Sequence, residues 1–308
     1  MMTVKRSALF ATRKSTAARI RDLATGSPLR IVDIGSADGA PSGLSQLWST
    51  SHVFTADARS DAKSSSGATT TVLPGAIAGN NGARKLFITS KPQNSSLLRP
   101  DADFLAGYVT RGAFDVVETV DVQTCTLWEC LTAVNTLRVD FIKLDTQGTE
   151  LEILRGARLD HLRPLAILVE VQFRPYYLGA PAAPEVLSFM SDLGFSLHDL
   201  RMSRWIRSAS RRSTGFRTGE IIWGDALFIN EENRQGGEHL VEQIALLVHL
   251  GQPYSARALC SETPLQHRSR LESLIDNHIS HELRLGPALR GLSAAAPRFR
   301  SRRFGRDR

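Results

Sequence analysis

The chain has 308 residues, 42% of them apolar and 22% charged, and a formal net charge of +7. That length can bury one large core with room for an appendage, and no apolar run approaches the ~18 residues a spanning helix needs. The positive charge is local: residues 1–30, 201–217 and 298–308 carry +6, +6 and +5, so the remainder is acidic by about −10. Basic arms on an acidic body argue against nucleic acid as a partner, because a nucleic-acid domain carries its basic face, with interleaved aromatics, on the fold itself. The basic N-terminus lacks an apolar core segment, so no secretory leader is expected. Three cysteines with no C-x-x-C predict reduced thiols, neither a disulfide framework nor a zinc site, and a cytoplasmic setting.

Thr3 to Leu23 reads as a helix closed by Gly26 and Pro28, an N-terminal helical arm over 1–27. Leu29 to Ile34 is a short apolar run rich in β-branched residues, the pattern of a buried parallel strand. Gly35-Ser36-Ala37-Asp38-Gly39 follows, and Pro41 suits the first turn of a helix. Strand, glycine-bearing turn and helix open a nucleotide-binding βαβ unit. Small residues at 35, 37 and 39 let backbone approach a ligand closely. The pattern is Asp-x-Gly-x-Ala-x-Gly with alanine at position 40, so it is not the dinucleotide G-x-G-x-x-G. Instead Asp33 stands two residues before the first glycine, the arrangement that class I methyltransferases use for S-adenosylmethionine. Taken alone, the same residues also make an ordinary strand-to-helix turn.

His52 to Asp57 is the next strand. It ends in an acid 24 residues after Asp33, near the spacing at which a second-strand carboxylate accepts the ribose hydroxyls; without the first motif it is a solvated strand end. Thr69 to Ala76 reads as a third strand. Asn80-Asn81-Gly82 is a hairpin turn into Lys85 to Thr89, and Val116 to Thr124 alternates, so a small antiparallel insertion is expected beside the main sheet. Lys91 to Leu97 is a polar loop holding Ser95 and Ser96.

Leu127 to Asn135 is a short helix. Val139 to Asp145 is a buried strand ending in a carboxylate. Thr146 to Glu150 turns into a helix from Leu151 to Ala157, whose apolar residues at 151, 153 and 154 face the sheet. Leu165 to Phe173 is a strand with Glu170 inside it, Pro184 to Leu193 a helix, and Phe195 to Leu200 and Ile221 to Ile229 the last strands. Strands alternating with helices imply an α/β, Rossmann-like, doubly wound and mostly parallel sheet. Its ligand crevice lies outside the carboxyl ends of the strands. Asp33, Asp57, Asp145 and Glu170 all fall at or near such ends. Beyond Asn230, Glu238 to Leu250 is amphipathic, and Pro253 to Cys260 and Pro264 to His278 are helical. They form a helical appendage over 231–296, suited to a homodimer or a protein partner, ahead of a basic disordered tail over 297–308.

The stretch Asp140-Phe-Ile-Lys-Leu-Asp145-Thr-Gln-Gly148-Thr-Glu150-Leu-Glu-Ile-Leu-Arg155-Gly156-Ala157 resembles the "IKxDxxGxExxxLxGA" signature of the FkbM family of methyltransferases. Val32 to Gly39 resembles its "VDVGANxG", with serine at 36 for alanine and alanine at 37 for asparagine. The second change removes one possible ligand bond. Ser95-Ser96-Leu97, Leu168-Val169-Glu170 and Gly224 to Phe228 resemble the family's serine loop, next strand and last strand. The resemblance covers residues 28–230. It implies a seven-stranded class I sheet with the last strand antiparallel, and S-adenosylmethionine as cofactor. It also implies O-methylation of a hydroxyl on a sugar, glycan or secondary-metabolite scaffold. A nitrogen or nucleic-acid acceptor, or a Rossmann-like binding module without catalysis, are the other readings.

On this reading the cofactor contacts are Asp33, Gly35, Ala37, Gly39, Asp57, Ser95, Ser96 and Gln147. A hydroxyl needs a base or a metal before it attacks. Asp145 is the first candidate, or else a cap of the following helix. Glu170 is the second, or else a structural partner for an arginine. The two carboxylates together suit Mg²⁺, but no third oxygen ligand is identifiable and no metal site is assigned. The arginine-rich segment 201–217 links the final strands. Arg204, Arg207, Arg211 and Arg212 there suit an acidic acceptor, since the guanidinium fork matches phosphate and carboxylate; a solvated loop is the alternative.

Overall fold

The computed structural model describes residues 13, 15–23, 28–35, 47, 50–59, 69–208, 219–230, 240–262 and 265–284. Two compact units divide the chain: Arg30–Gly39 with His52–Asn233, and Met1–Leu29 with Ala40–Ser51 and Arg234–Arg308.

In the first unit, β1 (Arg30–Ile34), β2 (His52–Ala56) and β3 (Thr69–Val72) are followed by β4 (Ala76–Ile77), β5 (Gly82–Thr89) and β6 (Val116–Cys125). β7 (Phe141–Leu144), β8 (Ala166–Gln172), β9 (Ser196–Trp205) and β10 (Glu220–Ile229) complete the strands. The large sheet runs β3-β2-β1-β7-β8-β10-β9. Counted by chain order within that sheet, this is 3-2-1-4-5-7-6. β10 is antiparallel to both its neighbours, and the remaining pairs are parallel. Every residue of β7 and β8 is buried, as are four of the five in β1. Near-continuous apolar runs of this kind are what strands buried on both faces carry.

Between α1 (Ala102–Leu105) and the last strands come α2 (Leu127–Ala133), α3 (Glu150–Gly156), α4 (Leu159–Leu162) and α5 (Ala183–Asp192). Leu131, Leu151, Leu154 and Met190 from these helices pack with Val32, Ile142, Leu144 and Val169 of the sheet in one core. A capping box joins Thr126 and Glu129 at the start of α2, satisfying donors that a helix end leaves open. A second cluster gathers Tyr108, Phe114, Tyr176, Tyr177 and Trp205.

Several expectations are corrected. The predicted strand Thr69 to Ala76 divides between sheets: it leaves the large one after Val72, and Ala76 pairs in the small one. The small sheet, β4-β6-β5, is mixed, since β4 runs parallel to β6 while β5 is antiparallel. Arg201 to Trp205 belongs to β9 and not to a loop; β9 is an edge strand, where charged side chains are tolerated. Cys125 and Cys130 form a disulfide, so those two are not reduced thiols. Cys125 ends β6 just before the N-cap Thr126, and Cys130 is the fourth residue of the helix that follows, two positions whose side chains meet at a helix start.

In the second unit, residues 15–21 are helical, and α6 (Leu240–His249), α7 (Pro253–Leu259) and α8 (Leu265–Arg284) follow. All ten residues of α6, read from the sequence as amphipathic, are buried, Glu242 and Gln243 included. Arg257 ties α7 to α8 through Glu272 at 2.9 Å and Asp276 at 3.0 Å. Thr16 Oγ1 lies 3.3 Å from His278 Nδ1 of α8. The start of the predicted Thr3 to Leu23 helix and the tail 297–308 lie outside the described residues. No helix among the described residues is long and apolar enough to cross a membrane.

Candidate active site

A cleft opens at the carboxyl ends of β1, β2 and β7. Asp57, Arg59, Ser95, Ser96, Asp145 and Thr146 give it a polar lining, and Ala58, Ile77, Leu86 and Leu97 an apolar wall. Gly35 makes the corner possible. Its φ is +79°, and a Cβ there would stand 2.0 Å from the carbonyl oxygen of Asp145. Only glycine lets the ends of β1 and β7 close together at this point.

Beneath the cleft the sheet carries charge. Asp33 and Lys143 are register partners on β1 and β7. Lys143 Nζ lies 3.5 Å from Asp33 Oδ1 and 3.5 Å from Asp145 Oδ2. Burial pulls the lysine's pKa down, but the charges of Asp145, Asp33 and Asp225 outweigh it and hold the ammonium above its ordinary range. Asp225, opposite Glu170 in the β8–β10 register, is pushed up to about 7 by burial and then by Asp145.

The turn after β7 aims the carboxylate. Glu150 folds back to accept from the backbone N–H groups of Thr146 at 2.7 Å and Gly148 at 2.9 Å. Burial above all pushes its carboxyl up to about 7. Gln147 sits at φ +60°, a left-handed conformation uncommon for a residue with a side chain. Its Nε2 donates to Asp145 Oδ1 at 2.9 Å and reaches the two Glu170 oxygens at 3.4 and 3.3 Å. The Tyr176 hydroxyl donates to Glu170 at 2.9 Å. The Tyr177 hydroxyl donates to the Asn94 carbonyl at 2.7 Å and lies 3.1 Å from Gln147 Oε1. Burial, then the charges of Asp145, Glu150 and Asp225, raise Glu170 well above the carboxylate range.

The predicted site residues therefore separate. Gly35, Asp57, Ser95, Ser96 and Asp145 line the cleft. Asp145 is the open carboxylate, with its side chain 39% exposed against 15% for Asp57. Asp33, Gln147 and Glu170 are buried and do not line it. Ser96 is on the wall, but its hydroxyl donates to the Gln147 carbonyl at 2.8 Å and accepts from Leu98 N–H at 3.0 Å. Ser95 Oγ accepts from Thr89 N–H at 3.1 Å, a bond that leaves its own proton unused.

Arg204 bonds the Gly219 carbonyl at 2.8 Å. Arg207 is clamped on Glu220 at 2.6 and 3.1 Å and lies over the Tyr108 ring. Bonds from Arg207 and then Tyr108 bring the Glu220 carboxyl down to about 2. Ala37, Gly39, Arg211 and Arg212 lie outside the described residues. Among the described residues, no three of His, Cys, Asp and Glu converge as metal ligands, so the Mg²⁺ expectation finds no site there. Reading the sequence missed Arg59, Tyr176 and Tyr177. The one signal for them was polar or aromatic residues placed just past the ends of β2 and β8.

A sheet of order 3-2-1-4-5-7-6 with a reversed last strand, and a glycine-cornered acidic cleft at its carboxyl ends, define a Rossmann-like methyltransferase fold. The methyltransferase FkbM domain matches residues 34–197. The chain belongs to that family, whose members are S-adenosylmethionine-dependent methyltransferases. Among solved structures it is similar to TrmK of M. capricolum in complex with S-adenosylhomocysteine. Identity is 10% and the TM-score 0.29, over 87% of this chain and 96% of that one. It is also similar to the methyltransferase domain of bacterial CtHen1-CN, at 10% identity and TM-score 0.27 over 72% and 99% of the two chains. No curated protein matches the chain.

Proposed function

We propose that the chain methylates a hydroxyl of a sugar, glycan or secondary-metabolite acceptor that carries an acidic group. The cofactor suits the cleft on the residues present. An apolar wall with a few convergent polar groups is what a nucleoside takes. Asp57 supplies an acceptor for ribose hydroxyls, and Ile77, Leu86 and Leu97 an apolar face for the base. Bound there, the cofactor supplies an electrophilic methyl on a sulfonium.

The chain's own part is to hold an acceptor oxygen in line and to take its proton. The observation that carries the reading is Asp145: the more exposed of the two cleft carboxylates, held from one side by Gln147 at 2.9 Å and from below by Lys143 at 3.5 Å. Glu170, behind Gln147, positions that amide; it is buried and does not line the cleft. Arg204, at the end of β9, supports the acidic character of the acceptor, as do Arg211 and Arg212 by residue type.

The test is transfer of labelled methyl to hydroxylated glycans and polyketides offered in neutral and in carboxylated or phosphorylated forms. An alkali-stable methyl ether on an acidic acceptor is expected. Label on nitrogen, or tight S-adenosylhomocysteine binding with no transfer to any acceptor, would replace this reading.

A further inference from the structure

Arg59 lies two residues past the acid that ends the second strand. It lines the cofactor cleft, yet its side chain is only 8% exposed. Burying a guanidinium is costly unless it is paired, and its partner here is Asp57. The backbone N–H of Arg59 donates to Asp57 Oδ1 at 2.9 Å, and its Nε reaches the same oxygen at 3.4 Å. Two donors from one residue thus converge on one carboxylate oxygen. A carboxylate on a short side chain rotates, and fixing it at the moment of binding costs affinity; fixing it beforehand does not. One anchored oxygen sets the plane of the group and hence the direction in which it accepts.

We propose that Arg59 is a positioning residue that orients Asp57 toward the ribose diol, and so makes the cleft selective for ribonucleoside over deoxyribonucleoside forms of the cofactor. The proposal rests on the cofactor placement given above. Arg59 acts through Asp57, so its loss is felt at the hydroxyls and not at the base.

The experiment titrates the full chain with S-adenosylhomocysteine and with its 2′-deoxy and 3′-deoxy forms. Wild type, Arg59→Gln, Arg59→Lys and Asp57→Asn are compared, with thermal melting to show that each is folded. A hydrogen bond to a charged group predicts a wild-type preference of about tenfold or more for the ribo form. Arg59→Gln is expected to cut that preference to about threefold or less. Arg59→Lys keeps the buried cation without the planar fork; it reads the same ratio and is expected to fall between. An unchanged ratio in the Arg59 variants overturns the proposal, even if overall affinity drops; a uniform drop would mean that the guanidinium touches the base. If Asp57→Asn keeps the wild-type ratio, the cofactor placement itself fails, an outcome separate from any result at position 59.

Discussion

Lys143 and Asp33 face each other across the centre of the sheet, Nζ to Oδ1 at 3.5 Å, with 6% and 0% of their side chains exposed. Neither side chain reaches water, and Asp145 is the lysine's second carboxylate at 3.5 Å. Taking one charge out of a buried ionic group costs far more than the group contributes. Lys143→Met is expected to destabilise the fold by about 3–5 kcal/mol. Adding Asp33→Asn should recover part of that loss, because the stranded charge is gone. Urea unfolding of both single variants and the double variant measures the coupling, and strict additivity would contradict it.

Gly35 is held by sterics. Alanine there must adopt a φ near +79° and place its Cβ on the Asp145 carbonyl. Left-handed strain alone costs about 1 kcal/mol, and the collision adds backbone movement at the mouth of the cleft. Gly35→Ala should lower the melting temperature by several degrees and weaken S-adenosylhomocysteine binding more than about tenfold. Melting and calorimetric titration report the two effects separately.

The contrast between Gly35 and Gln147 shows what the sequence makes legible. Glycine after a β-branched run marks a corner, because no other residue fits one. The apolar runs of β1, β7 and β8 likewise name buried strands. Gln147 carries no such mark. Its left-handed turn and inward amide are set by Glu170 and Tyr177, residues 23 and 30 positions away, and pairings at that range leave no local pattern. The β9 arginines read as a loop because charge density resembles a turn, whereas an edge strand tolerates it. The Cys125–Cys130 bond depends on where the helix starts, at Thr126, which an odd cysteine count does not reveal. The burial of α6 likewise depends on what surrounds it, and helical periodicity does not report surroundings.

Asp225 gives the fold a pH dependence. Its carboxyl is raised from 3.8 to about 7, by burial first and by Asp145 second. Between those values the folded chain holds a proton that the unfolded chain has released, so stability falls as pH rises through that window. Asp225→Asn should flatten this part of the stability–pH profile. Glu150, also pushed up to about 7, leaves a residual slope of the same sign. Chemical denaturation at pH steps from about 4 to 8 reads the difference between the profiles. Parallel profiles for variant and wild type would remove Asp225 as a cause.

Asp145 and Glu170 lie on either side of one amide, and their roles follow from what each can reach. Asp145 opens on the cleft; Glu170 is buried and meets Tyr176 and Gln147. Asparagine at 145 keeps the hydrogen-bonding shape but cannot take a proton. With an acceptor from the panel above, turnover should fall by about 10²–10⁴, the range of a lost general base. Affinity for S-adenosylhomocysteine should change less than about threefold. Glutamine at 170 also keeps the shape, and its position is buried against Gln147 and does not line the cleft. Glu170→Gln should therefore retain turnover within about threefold and leave the acid limb of the rate profile in place. Glu170→Leu, which removes the contact to Gln147, should lose most of it. If Glu170→Gln proves inactive while Asp145→Asn turns over normally, the proton goes to Glu170, and the buried side of the amide is the catalytic one.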